Sequence, residues 1–190
     1  MGGAIVARDA NATFTDCFLN RNTAASGGGA YFISESTVKI YGGTIMDNRA
    51  IGENAEGGGL FMSNVPLEII NCQITGNNSL YSGGGIMFKG PDTAGSTIHN
   101  CLFASNIASA RGGAILASLF CNVSITSCTF SENGAQSGGT GGAVFCTHSS
   151  TAAIKDCIFD QTKRIAVYEN SSDSSVNMSY CLFNANPDGD

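Results

Sequence analysis

The sequence contains no tryptophan, only 3 prolines and few charged residues, which make up 13% of its 190 residues. Cationic side chains are scarce: 9 Lys and Arg stand against 15 Asp and Glu, for a formal charge of −6. Nucleic-acid binding needs clustered positive charge to neutralise phosphates, so this composition argues against it. With 43% hydrophobic residues the chain can build the core of one domain, which we expect residues 1–190 to form.

Long hydrophobic runs are also missing. One long uncharged stretch, Gly112 to Ser131, is interrupted throughout by glycine, serine, threonine and asparagine, which argues against a membrane span. The first residues have neither the charged region nor the long apolar region of a signal peptide. We therefore expect a chain that does not cross a membrane.

Glycine is abundant instead, at 25 residues, and its positions reveal a repeat. Paired glycines followed by an apolar run start units of 23 to 30 residues. The starts are Gly2-Gly3, Gly28-Gly29, Gly58-Gly59, Gly84-Gly85, Gly112-Gly113 and Gly141-Gly142, with Arg164-Ile165 as a degenerate seventh.

A second signature follows each start. An apolar residue, a cysteine, a second apolar residue and an asparagine recur at fixed spacing, as in Ile125, Cys128, Phe130 and Asn133. Short strands with alternating side chains fit these segments better than a helix does. The sequence therefore predicts an all-β fold, a parallel β-solenoid of about seven coils with about three short strands per coil.

The asparagine column has a structural interpretation. Asparagine tolerates a left-handed φ at a sharp corner, and its amide can bond to the asparagine of the next coil. We expect this internal ladder to consist of Asn22, Asn48, Asn77, Asn106, Asn133 and Asn186.

Most of the cysteines share one column as well. Apolar neighbours favour a stacked and buried thiol ladder, while disulfides between adjacent coils stay open as an alternative. A single file of side chains cannot form a tetrahedral zinc site, so we expect no metal and no cofactor. The ladder comprises Cys17, Cys72, Cys101, Cys128, Cys157 and Cys181, whereas Cys121 and Cys146 lie off it.

The strand after the glycines is apolar at three successive positions, so one apolar column faces outward whichever way the strand is turned. Such a stripe is either an interface or a surface covered by a bulge or a loop of the same chain. If the small first column points inward, the candidate interface stripe is Ile5, Tyr31, Phe61, Met87, Ile115, Val144 and Val167.

These motifs resemble a known family. Gly112-Gly113-Ala114-Ile115 and Phe130-Ser131-Glu132-Asn133 are similar to the G-G-A-I and F-x-x-N repeats of the chlamydial polymorphic outer-membrane proteins, and the likeness covers essentially the whole chain. The resemblance implies a right-handed parallel β-helix in surface-exposed or secreted proteins, often autotransporter passengers that act in adhesion. It also implies that the chain is a fragment or subunit of a longer array.

Two classes of function remain. Polysaccharide lyases and hydrolases also use β-helices, but their sites need carboxylates on neighbouring coils of one sheet. Asp156 and Asp160, with Lys163 and Arg164, form the one charged cluster, and His99 and His148 have no nucleophile in register. We therefore expect a non-catalytic extracellular or cell-surface solenoid for adhesion or assembly. Its partner would be a protein, a second copy bound through a sheet face or coil ends, or a host-cell or matrix glycan.

Overall fold

A computed structural model describes residues 1–34, 37–93, 95–136 and 138–186. The chain winds into stacked coils, and every strand pairs in parallel with the equivalent strand of the coils above and below. Three sheets have seven strands each and a fourth has five, so the predicted solenoid of about seven coils is confirmed. The fourth sheet adds a two-residue strand to the three expected in each of five coils.

The first two sheets contain the longer strands of each coil. The first sheet consists of Ile5–Arg8, Ala30–Ile33, Leu60–Ser63, Ile86–Lys89, Ile115–Ser118, Val144–Thr147 and Val167–Asn170. The second sheet consists of Ala12–Thr15, Val38–Tyr41, Leu67–Ile70, Ser96–His99, Asn122–Thr126, Thr151–Lys155 and Ser175–Ser179.

The other two sheets are built from shorter strands. The third sheet consists of Phe18–Asn20, Thr44–Met46, Gln73–Thr75, Leu102–Ala104, Thr129–Ser131, Ile158–Asp160 and Leu182–Asn184. The fourth consists of Thr23–Ala24, Arg49–Ala50, Asn78–Ser79, Ile107–Ala108 and Gly134–Ala135, and a 3₁₀ turn covers Pro91–Thr93. Within the described residues no helix is long and apolar enough to cross a bilayer.

Alternation along each strand sends every second side chain into one continuous core. Equivalent positions of successive coils stack on one another there, because the strands pair in register from coil to coil. In the third sheet the rings of Phe103, Phe130, Phe159 and Phe183 stack with centroids 4.9 Å apart. Offset or parallel ring contacts of this kind add about 0.5–1.5 kcal/mol each beyond the area they bury.

The coil corners correct one expectation about asparagine. The left-handed φ at the corner belongs to the residue before each ladder asparagine, at Arg21, Asp47, Gly76, Ser105, Glu132, Gln161 and Ala185. A second set of left-handed residues stands directly before the cysteine column, at Asp16, Gly42, Asn71, Asn100, Ser127, Asp156 and Tyr180. The asparagine itself therefore does not supply the turn, and its role at the corner is to hydrogen-bond.

The amides form a continuous ladder from Asn22 to Asn133. Asn77 is typical: its Nδ2 donates to Asn106 Oδ1 at 3.0 Å and to the Ile45 carbonyl at 2.8 Å, and its backbone N–H donates to Asn106 Oδ1. In the last coils Thr162 replaces asparagine, and its backbone N–H donates to Asn186 Oδ1 at 2.9 Å. The ladder thus satisfies backbone groups that the corners would otherwise leave buried without partners.

The glycine register also differs from the sequence alignment. Ile5 pairs with Ala30, Ala30 with Leu60, and Ile115 with Val144. In the coils that contain three successive glycines (27–29, 57–59 and 83–85), the first two therefore correspond to the glycine pairs elsewhere, and the third corresponds to an alanine. A shift of one residue moves a side chain to the opposite face of the strand.

Candidate binding groove

The register of the first sheet defines its outward column. Val6 pairs with Tyr31, and the column continues through successive partners to Tyr168. Its members are Val6, Tyr31, Phe61, Met87, Leu116, Phe145 and Tyr168. This column forms the floor of a surface that we call the outer groove.

The predicted stripe needs correction at four of its seven positions. Tyr31, Phe61 and Met87 face outward, but Ile5, Ile115, Val144 and Val167 pack in or against the core. The cause is the extra glycine in three coils, since aligning the last two glycines of a triplet with a pair shifts those strands by one residue.

Apolar contacts run along the floor. The rings of Tyr31 and Phe61 stack at 4.6 Å with planes 5° apart, and those of Phe145 and Tyr168 stack at 5.5 Å. The middle of the floor is hidden even though it faces outward: Phe61 is 5% exposed, Met87 2% and Phe145 0%. Something in the chain must therefore cover it.

Charged side chains from both sides of the floor provide this cover. Glu56 and Lys89 lie on opposite sides of the floor, and their ion pair, 2.9 Å from Nζ to Oε2, spans it. The Arg111 guanidinium lies 5.6 Å from the centroid of the Phe145 ring, in cation–π contact with it. In the central coils charged side chains cover the floor, whereas the sequence had left a bulge or a loop of the same chain open as the cover.

Two cavities remain open on either side of Arg111. One, of about 210 Å³, is lined by Met87, Leu116, Leu119 and His148 among others. The second, of about 450 Å³, extends toward Tyr168. Arg111 forms no ion pair with the residues that the structure describes, so its charge is available to a ligand in either cavity.

The corner beside the first cavity is strained. Leu119 and Phe120 both adopt a left-handed φ, 66° and 65°, which bulky residues rarely do, and the Phe120 side chain is 61% exposed. Such strain persists only where surrounding structure enforces it, and it concentrates at functional surfaces. The Leu119 side chain is thereby held at the rim of the outer groove.

A histidine and a serine meet at the same rim, which the sequence analysis missed. Ser118 Oγ lies 3.2 Å from His148 Nδ1, because Ser118 pairs with Thr147 and His148 follows Thr147 directly. No carboxylate hydrogen-bonds His148 anywhere in the described part of the chain, and the nearby Asp173 carboxylate accepts a hydrogen bond from Ser149. The pair can donate and accept hydrogen bonds, but it lacks the third group of a catalytic triad.

A comparison with protein families decides the classification of this architecture. The model of the right-handed β-helix region matches residues 82–189. The chain belongs to the right-handed β-helix family.

A longer protein is similar in sequence to most of the chain. Over 157 residues, or 83% of the chain, it is 30% identical to metabotropic glutamate receptor-like protein R of Dictyostelium discoideum. The matched segment spans 9% of that protein, so the β-helix corresponds to a small part of it. No solved structure matches the chain significantly.

The acidic residues of the β-helix are spread out. Asp160 accepts a hydrogen bond from Asn184 at 2.7 Å, and Asp156 lies 3.8 Å from Lys155 in an exposed ion pair. His99 is exposed and bonds to Thr126 on the neighbouring coil at 2.9 Å. Among the residues with described positions, no three His, Cys, Asp or Glu side chains are grouped to hold a metal.

The cysteine column lies inside the β-helix. Cys72, Cys101, Cys128 and Cys157 are buried, Cys181 is half-buried and Cys17 is exposed; all eight thiols of the chain are free. Hydrogen bonds between neighbouring thiols raise the pKa of Cys72 and Cys128 and lower the pKa of Cys101.

Cys121 and Cys146, the two cysteines that lie off the ladder, are core residues. Cys121 Sγ donates to the Ser118 carbonyl at 2.8 Å, and Cys146 Sγ donates to the Ser150 carbonyl at 3.1 Å. Burial raises the pKa of Cys121, and it raises the pKa of Cys146 to about 12. Both are therefore neutral packing residues at physiological pH.

Proposed function

We propose that this β-helix is a non-catalytic module for adhesion or structural assembly at the cell surface or outside the cell, and that the outer groove is its contact surface. The observation that carries the proposal is the apolar floor covered by charged side chains. A partner that displaces the Glu56–Lys89 ion pair or fills the cavities beside Arg111 would bury apolar surface that is already arranged in one line.

The partner favoured by this lining is a protein segment with apolar side chains and at least one carboxylate. Leu119 offers apolar contact at the rim, and Arg111, which forms no ion pair among the described residues, offers a cation that suits a carboxylate. Aromatic residues and arginine are also the types that most often dominate protein interfaces. A glycan or a second copy of the chain would be revealed by the same assays.

The experiment compares three forms of the chain in binding to intact cells, to glycan arrays and to itself in sedimentation. We expect R111E to reduce binding at least about tenfold, the scale of losing one interface hot spot. The matched control R49E makes the same charge change on the exposed Arg49 of the fourth sheet and should bind normally. Equal binding by all three forms would exclude the outer groove as the contact surface.

The absence of catalysis is part of the proposal and is supported by the spacing of the acids. A glycoside-cleaving site needs paired carboxylates about 5–10 Å apart around one bond. Asp156 lies at a corner, Asp160 ends the next strand of the same coil, and they are engaged by Lys155 and Asn184 respectively.

A polysaccharide-acting enzyme is the second candidate, favoured by a cleft on the outer face of a parallel sheet that contains Glu56, Lys89 and Arg111. A panel of acidic and neutral polysaccharides, tested with the unaltered chain and with E56Q, D156N and D160N, separates the two functions. Turnover that any of these substitutions abolishes would replace the binding function with an enzymatic one.

The same proposal includes a location at the cell surface or outside the cell and membership of a narrower family of surface adhesins. The G-G-A-I and F-x-x-N motifs support a place among surface adhesins such as the polymorphic outer-membrane proteins, and the similar segment of a receptor-like protein fits display outside the cell. Protease treatment of intact cells that express the natural protein tests this: an epitope in residues 1–190 should be lost. The single domain over 1–190 and its place in a longer array stay predictions.

A further inference from the structure

Four successive coils place a buried thiol at one position. Cys72, Cys101, Cys128 and Cys157 each stand three residues after the stacked isoleucines of the second sheet. Because adjacent parallel strands lie about 4.8 Å apart, equivalent side chains repeat at that spacing. The column is thus a file of free sulfurs within the core.

The two central sulfurs have a special environment. The backbone N–H of Cys72 donates to Cys101 Sγ at 3.5 Å, and the N–H of Cys101 donates to Cys128 Sγ at 3.5 Å. At one end of the file, Cys72 Sγ instead lies 2.8 Å from the Gly42 carbonyl, and at the other end Cys157 is followed by the half-buried Cys181. Cys101 and Cys128 are the two central thiols of the file: each has a buried thiol neighbour on both sides, and each sulfur accepts a main-chain hydrogen bond.

We propose that Cys101 and Cys128 bind one thiophilic monovalent cation, Ag⁺ or Cu⁺, in a two-coordinate S–metal–S bridge. Metal–thiolate bonds are about 2.3 Å long for zinc, so two collinear bonds of that length span about 4.6 Å. This span matches the separation of adjacent coils, about 4.8 Å, without a change of register. Soft thiolate ligands select Cu⁺ over hard cations.

The same geometry excludes the common tetrahedral metals. A third and a fourth ligand would have to come from beside the file, where the apolar core lies, and the described chain has no cluster of three ligating side chains. In the binding step both S–H bonds break, two sulfur–metal bonds form and two protons leave to solvent, with no change of oxidation state. The bridge carries one negative charge, which the two N–H donors stabilise.

Silver(I) is the probe, because it stays monovalent in air. The test protein is the reduced chain with C17S and C181S, which remove the two accessible ladder thiols, in chloride-free buffer with silver nitrate. Native mass spectrometry should show one retained Ag⁺ that displaces two protons. Since the site is buried, uptake should be slow and should accelerate in mild denaturant.

Two double variants in this background separate the site from other thiols. C101A/C128A should lower the affinity for Ag⁺ by more than the roughly tenfold that the loss of a supporting residue costs. C121A/C146A removes the same number of buried thiols away from the file and should retain the ion. Circular dichroism checks the fold of both.

X-ray absorption of the silver-loaded background protein decides the geometry whether or not the variants fold. Two sulfur neighbours at one distance support the bridge. Nitrogen or oxygen ligands, a third sulfur, retention of the ion by C101A/C128A, or no retained ion at all would each overturn the proposal.

Discussion

Replacing Asn106 with alanine tests whether the amide ladder holds the coils together. Asn106 is fully buried. Its Oδ1 accepts from the backbone N–H of Asn77 at 3.1 Å and from Asn77 Nδ2 at 3.0 Å. Its Nδ2 donates to the Ile74 carbonyl at 2.7 Å and to Asn133 Oδ1 at 3.0 Å. One side chain thus connects three successive coils.

The expected loss follows from the groups that alanine would leave without a partner. Two donors of Asn77 and the carbonyl of Ile74 lose the hydrogen bonds made with the Asn106 amide, whereas Asn133 Oδ1 keeps the backbone N–H of Asn106. A buried polar group left without a partner costs about 1–3 kcal/mol. We therefore expect Asn106→Ala to lower the free energy of unfolding by at least about 3 kcal/mol.

Urea unfolding followed by far-ultraviolet circular dichroism measures this loss. Asn122→Ala is the matched control, because Asn122 is exposed on the second sheet and such substitutions usually change stability by less than about 0.5 kcal/mol. Asn106→Thr copies the residue that the chain itself uses at Thr162 and should cost less than Asn106→Ala. An Asn106→Ala loss below about 1 kcal/mol, or one equal to the control, would refute the structural role of the ladder.

Three further predictions use the same measurement. Thr162→Asn should raise the free energy of unfolding by about 1 kcal/mol, the net value of one hydrogen bond, by extending the amide ladder; a loss would show that the hydroxyl is the better fit. Phe130→Ala should cost about 3–5 kcal/mol, because Phe130 stacks on rings above and below it, and a cost under about 2 kcal/mol would contradict that packing. Gly113→Ala should lower the free energy of unfolding by about 3 kcal/mol, since its Cβ would lie 2.1 Å from the Gly142 carbonyl oxygen. The control Gly138→Ala, which has open space around its Cβ but a φ of +83°, should lower it by about 1–2 kcal/mol. Equal losses for the two variants would count against the close approach at Gly113.

The coil architecture could be predicted from the sequence because its repeat fixes one side chain per coil at each position. Phe130 and Phe159 occupy the same place in their units, and in a parallel stack the same place in the unit means direct contact. The six cysteines and six asparagines that recur at fixed spacing are enough to predict the register of the second and third sheets without ambiguity.

The register of the first sheet could not be obtained in the same way. Three glycines at 27–29 offer two alignments with the pair at Gly2 and Gly3, and nothing local distinguishes them. A contact between coils decides the alignment: Gly28 lies under the carbonyl of Gly58, where a Cβ would come within 2.3 Å of the oxygen. That close approach fixes which glycine of the triplet stands at the tightest point between coils.

The outer groove was only partly predictable for a related reason. An apolar outward column is visible in the sequence, but its cover depends on long side chains that come from neighbouring coils. Lys89 reaches Glu56, which stands 33 residues earlier in the chain. The meeting of Ser118 with His148 likewise depends on a pairing between coils that spans 30 residues.

The uniform pairing of each strand with its counterpart one coil away has a consequence for how the chain acquires its structure. Successive partners in the first sheet are only 23 to 30 residues apart, and no sheet formed by the described residues joins the first coil to the last. The entropic cost of loop closure is therefore divided into small, nearly equal steps. Once two adjacent turns have formed a nucleus, each further turn docks on a finished template, so growth should proceed directionally and be feasible while the ribosome is still extending the polypeptide.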